Sequence, residues 1–161
     1  MRTLICILFG AMALAAAAPE SVEWKLIDGP GRPVKPGGHF NVTLQAKVQP
    51  GWHIYSMKPV ANGPIPTRIW ITEGQPFMLA GIVQPPDAIL AQDPSFNMEV
   101  ETYEGETSFT LPLRVPGSTE PGTQNLIVHV SYQSCNNRLC LPPKEVKVTL
   151  PIEIVRGRAP L

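Results

Sequence analysis

Two cysteines, Cys135 and Cys140, sit in the stretch Tyr132-Gln133-Ser134-Cys135-Asn136-Asn137-Arg138-Leu139-Cys140-Leu141-Pro142-Pro143. Four residues separate them, enough for a tight loop that brings the sulfurs within bonding reach. Such a pair can be a structural staple or a redox couple that opens and closes. A disulfide stabilises mainly by removing loop-closure entropy from the unfolded chain, and short loops contribute least, here roughly 2 kcal/mol. Spacing alone favours the staple, because exported domains use cysteines that way. Thiol–disulfide exchange needs an accessible sulfur, a resolving partner and control of access. Arg138, between the cysteines, is placed to stabilise a thiolate, or else is a solvated loop residue. Asn136 and Asn137 tolerate left-handed backbone angles and read as turn formers.

Other chemistries find less support. A blue-copper site takes a cysteine with two histidines and usually a methionine. No histidine follows Cys135, and His39, His53 and His129 are scattered, each read as a surface or satisfied residue. No metal ligand set, cofactor motif, serine triad or phosphate loop stands out. Glu101 and Glu104 read as solvated turn residues rather than a catalytic pair.

The elements that must hold the cysteines are strands. Phe40, Val42, Leu44, Ala46 and Val48 alternate with polar residues, the pattern of a strand with one buried and one wet face. The same alternation runs through Phe109–Val115, Leu126–Tyr132 and Val146–Ile154. Shorter strands are expected over Val22–Ile27, Trp52–Ser56, Thr67–Thr72 and Phe77–Val83. Pro112 marks its strand as an edge or a bulge. Lys58–Pro66 reads as loop, Pro85–Asn97 as irregular with one helical turn at Ala88–Ala91, and Glu101–Gly105 as a polar turn with Tyr103 at its centre. Trp24, Trp52 and Trp70 are assigned to the core. Nineteen prolines punctuate these runs and no long 3.6-residue period appears. The expected fold is all-β, an immunoglobulin-like antiparallel β-sandwich.

Arg2, the apolar run Leu4–Leu14 and Ala15–Ala18 form a secretory signal peptide over residues 1–17, too short to span a bilayer. Residues 18–155 are long enough for one domain with a real core, and 156–161 read as a flexible tail. Without Arg2, 12 basic residues face 13 acidic ones, a net of −1, and no basic patch suggests nucleic acid. Cys6 leaves with the signal, so Cys135 and Cys140 are permitted to pair in an oxidising compartment.

Tyr132-Gln133-x-Cys135, a short loop, Cys140, Leu141 and Pro142-Pro143 resemble the periplasmic N-terminal domain of the thiol:disulfide interchange protein DsbD. Gly51-Trp52-His53-Ile54-Tyr55-Ser56 and Tyr103-Glu104-Gly105 are similar to two further segments of that domain, in the expected order. The resemblance implies an immunoglobulin-like sandwich that shuttles electrons by thiol–disulfide exchange. Its donor would be a membrane-embedded thiol electron transporter. Its acceptors would be periplasmic disulfide isomerases or the thioredoxin-like proteins of cytochrome c maturation. Cys135 and Cys140 match the exchanging pair, with Cys140 the sulfur that meets partners. Tyr103 matches the aromatic cap, where the family often has Phe, and Tyr55 and Glu101 match residues near the site. The family's membrane and thioredoxin-like domains are not in this sequence, so the expectation is a standalone monomer whose donor lies in another chain. The competing expectation is a non-catalytic sandwich, a binding or assembly module with a structural disulfide.

Overall fold

The computed structural model describes residues 20–156. The expected signal peptide lies outside them, as does the tail beyond Arg156. Among the described residues the chain is all-β: β1 (Val22–Asp28), β2 (His39–Val48), β3 (His53–Tyr55), β4 (Arg68–Trp70), β5 (Met78–Leu79), β6 (Ile89–Asp93), β7 (Met98–Tyr103), β8 (Glu106–Arg114), β9 (Gly122–Tyr132), β10 (Ser134–Cys135) and β11 (Lys144–Ile154). They form three antiparallel sheets in the orders β1-β2-β8-β5, β11-β9-β4 and β10-β3-β7-β6.

Alternation sets which side chains fill the space between them. Val42, Leu44, Ala46 and Val48 of β2 are buried, while Asn41 and Lys47 stay exposed. They share one core with Phe109, Leu111 and Leu113 of β8, Leu126, Val128 and Val130 of β9, and Ile152 and Ile154 of β11. Trp24 of β1 links the layers, its ring centroid 5.7 Å from Phe109 and 5.5 Å from Tyr132. This is the immunoglobulin-like β-sandwich expected from the sequence. The third sheet grows from the end of β9: after Gln133 the chain continues as β10 and pairs with β3.

Several local expectations are corrected. Pro85–Asn97 is not irregular with a helical turn. Ile89–Asp93 is β6, paired with β7 along its length. Tyr103 is the last residue of β7 rather than the centre of a turn, and the chain reverses at Glu104-Gly105, where Gly105 has φ 58°. Pro112 lies inside its sheet between β2 and the two-residue β5. It accepts from the Ala80 N–H at 2.9 Å, so its missing donor falls beside a short, interrupted partner. Trp24 and Trp52 pack against the core, whereas Trp70 stacks on His129 with centroids 5.2 Å apart. That stack and Glu145, 3.2 Å away, leave His129 buried on the face read as polar.

Candidate functional site

The chain leaves β9 and turns back on itself to bond Cys135 to Cys140. The Asn136 side chain organises this loop. Its Oδ1 accepts from the N–H groups of Arg138 (2.8 Å) and Leu139 (2.9 Å), and its own N–H donates to the Leu139 carbonyl. The turn is made by side-chain hydrogen bonding and not by a left-handed residue, since the non-glycine positive φ angles fall at Asn62 and Asn97. Leu141 N–H then donates to the Ser134 carbonyl and closes the base of the loop. Ser134 Oγ lies 2.7 Å from Ser21 Oγ, tying that base to the start of β1.

The two sulfurs live in different surroundings. Cys135 is fully buried and Cys140 is half-buried. A second, small apolar cluster holds them: Tyr55, Val100 and Cys135, with Phe96, Met98 and Cys140 packed against it. Strand register explains its membership. Residues directly opposite in an antiparallel pair point to the same face, and successive residues alternate. Cys135 is opposite His53, and Tyr55 is opposite Thr102, so Cys135, His53, Tyr55, Val100 and Thr102 share one face. Ala91 is opposite Val100 and Asp93 opposite Met98, which brings Asp93 to that face too.

These residues form a hydrogen-bonded network against the disulfide. Tyr55 Oη donates to Asp93 Oδ2 at 2.7 Å and sits 3.9 Å from Cys140 Sγ. His53 Nε2 lies 3.4 Å from Tyr55 Oη and 3.4 Å from Asp93 Oδ2. Asp93 Oδ1 accepts from the Ser95 and Phe96 N–H groups at 2.7 and 3.2 Å. That Asx turn, with Asn97 at φ 52°, reverses the chain between β6 and β7 and leans Phe96 edge-on against Tyr55, centroids 5.9 Å apart. Burial works to raise the Asp93 pKa. The donors from Tyr55, Ser95 and Phe96 and the nearby His53 outweigh it and hold the carboxyl below its usual range. Burial, then the bond to Asp93 and its charge, push the Tyr55 hydroxyl far up, so Tyr55 stays a neutral donor.

Cys135, Cys140 and Tyr55 therefore meet as expected. Tyr103 does not join them. Opposite Ile54, it faces the other way and packs in the main core edge-on to Phe109, at 5.3 Å. The aromatic rings in the cluster that holds the disulfide are Tyr55 and Phe96. Glu101 also takes the opposite face, accepting from Lys58 Nζ (3.0 Å) and Ser56 Oγ (3.2 Å). Arg138 is exposed on the loop. Asp93 and Phe96 are the residues that sequence reasoning left out, and His53, which adjoins the site by resemblance, is read there as a surface or satisfied residue. Asp93-Pro94-Ser95 carried a turn signal, but nothing in it pointed at the sulfurs. Among the described residues no group of three or more histidine, cysteine, aspartate or glutamate side chains is arranged to hold a metal.

A family model described as thiol:disulfide interchange protein DsbD, N-terminal, matches residues 31–152. The chain belongs to this family. It is thus a DsbD N-terminal-type domain of the thiol–disulfide interchange class. The N-terminal periplasmic domain of ScsB from Proteus mirabilis has a TM-score of 0.52 and 17% identity over 81% of this chain and 51% of that one, a likeness of fold. The chain thus spans about half of that domain. The N-terminal domain of DsbD from Neisseria meningitidis, in the reduced form, has a TM-score of 0.49 and 14% identity, over 70% of this chain and 78% of that one. Comparison with curated protein sequences gave no match.

Proposed function

We propose that residues 18–155 act as a periplasmic electron relay. Cys135–Cys140 is reduced by a membrane-embedded thiol transporter and in turn reduces periplasmic thioredoxin-like or disulfide-isomerase proteins. The signal sequence read over residues 1–17 supports the compartment, and DsbD N-terminal membership supports the chemistry. The observation that carries the reading is the asymmetry of the pair. Cys135 is fully buried in the cluster, and Cys140 is half-buried at its margin with its Sγ 3.9 Å from Tyr55 Oη. A bond serving only as a staple needs no such difference. A relay needs one sulfur to receive the partner and one to resolve the mixed disulfide. The domain acts as a monomer, with no cofactor, because the sulfurs themselves carry the two electrons.

Single-cysteine variants test this. Cys135→Ser should react through Cys140 with a thioredoxin-like protein whose attacking cysteine carries a thionitrobenzoate leaving group. Cys140→Ser, which leaves only the buried sulfur, should react far more slowly. Equal rates, or no reaction from either, would show that the asymmetry serves no exchange and that the bond is structural.

A further inference from the structure

The network beside Cys140 contains one charge that the exchange reaction should find awkward. Asp93 is 3% exposed and its carboxylate reaches the site through Tyr55 Oη, itself 3.9 Å from Cys140 Sγ. Releasing a partner's sulfur from Cys140 leaves a thiolate there, a second anion close to a buried first one, and like charges at that range disfavour each other. Something must supply positive charge or a proton. Lys58 is held by Glu101 on the opposite face, and Arg138 is exposed on the loop. His53 is on the right face and in reach, with Nε2 at 3.4 Å from both Asp93 Oδ2 and Tyr55 Oη. Its side chain is 14% exposed, so it is not sealed from solvent.

We propose that His53 is the proton-carrying residue of the exchange reaction, a positioning residue that acts on Cys140 through the Tyr55 hydroxyl. This deepens the electron-relay reading and rests on it. The titratable groups facing His53 are Tyr55 on its own strand, Cys135 directly opposite on β10, Asp93 at the end of β6, and Cys140 from the loop after β10. β7 contributes Val100 and Thr102 on that face, neither of them titratable. The reductant is a dithiol. Its thiolate attacks Cys140 Sγ, a mixed disulfide forms, and the bonding pair of the broken Cys135–Cys140 bond leaves on Cys135 Sγ, which takes the proton of the dithiol's second thiol. The second thiolate of the dithiol then attacks the dithiol's own sulfur, and the pair of the mixed bond leaves on Cys140 Sγ. The Tyr55 hydroxyl proton turns from Asp93 to that sulfur, and the Tyr55 oxygen takes a proton from His53. The dithiol ends as a disulfide, the protein as two thiols, and His53 is reprotonated by solvent. In the reverse direction the same path removes the proton from Cys140.

Histidine changes charge between about pH 5 and 8, so the signature is a pH profile. The protein from residue 18 onward is reduced by dithiothreitol from pH 5 to 8. The release of oxidised dithiothreitol, the step in which Cys140 leaves, is followed, and rates are divided by the dithiothreitol thiolate concentration. The wild type should lose rate as pH rises through this range. His53→Gln should give a flat profile with a rate at low pH about a hundredfold lower. Tyr55→Phe, which keeps the ring and removes the hydroxyl, should flatten it too. Unfolding curves of both variants serve as the control for a packing role, which would lower stability without flattening the profile. If wild type shows the falling profile and His53→Gln retains it, the inference is wrong. If His53→Gln flattens it and Tyr55→Phe does not, the route through Tyr55 is wrong. If wild type is not reduced at all, the exchange reading fails and takes this inference with it.

Discussion

Two tyrosines one strand apart show how the site is made. Tyr55 and Tyr103 are both buried, and they sit on paired neighbouring strands. Tyr55 touches the sulfur network. Tyr103, opposite Ile54, packs edge-on against Phe109 in the main core. Both hydroxyls have raised pKa values, from burial first of all in each case. The difference lies in parity: a shift of one residue along a strand sends a side chain to the other face of the sheet. One ring holds the sandwich together and the other serves the disulfide, although their burial is nearly the same.

Variants can break that comparison, and the largest effect should come from the core. Tyr103→Ala should cost about 3–5 kcal/mol of stability, the usual loss for emptying a buried aromatic site. Conditions that keep the variant folded should leave the reactivity of Cys140 unchanged. Chemical denaturation and thiol-reaction rates measured together check both halves. If the disulfide becomes much more reactive in the folded variant, Tyr103 covers the sulfurs after all.

Asp93→Asn should come next. At neutral pH it loses charge-assisted bonds from Tyr55, Ser95 and Phe96, worth about 1–3 kcal/mol. The wild-type carboxyl has a folded-state pKa below its unfolded value of about 3.9. Its stabilisation is therefore complete above that value and disappears as pH falls through the folded-state pKa. Denaturation midpoints at pH 7 and pH 3 should differ less in Asp93→Asn than in wild type. An equal difference would mean that the carboxylate is not held as described.

Phe96→Ala should cost only about 1–2 kcal/mol, because the ring is half-buried. It should nevertheless speed the attack of dithiothreitol on the disulfide, since Phe96 packs against the cluster that holds it. An unchanged rate would mean that Phe96 does not shield the sulfurs. The smallest effect should come from Glu101→Gln, which loosens an exposed Lys58 contact on the face away from the sulfurs and should leave the reduction rate as it was.

Much of this molecule is legible in its sequence, and the rest fails for physical reasons. The alternation of Val42, Leu44, Ala46 and Val48 reports a half-buried strand directly, and β8, β9 and β11 follow in the same way. β6 escapes because Ile89–Asp93 is short, flanked by Pro86 and Pro94, and lies at a sheet edge where exposed Ile89 and Leu90 mask any alternation. Cys135 and Cys140 emerge from a motif whose spacing is local, and Tyr55 from a second segment, Gly51–Ser56, that resembles the same family. Tyr103 and Glu101 are assigned to the site by the family resemblance, but their faces are fixed by pairing with β3, which sequence spacing does not express. Asp93 and Phe96 reach the sulfurs through a long-range register between β6, β7 and β3. His53 was visible as a residue but carried no signal of the carboxylate that gives it a partner.

The reduction potential of the Cys135–Cys140 pair tests the central claim most directly, measured by thiol trapping of the full chain across a graded redox buffer. A relay domain should titrate between roughly −180 and −270 mV, in the range of known exchange proteins. A potential well below about −300 mV would mark a structural bond and contradict the account.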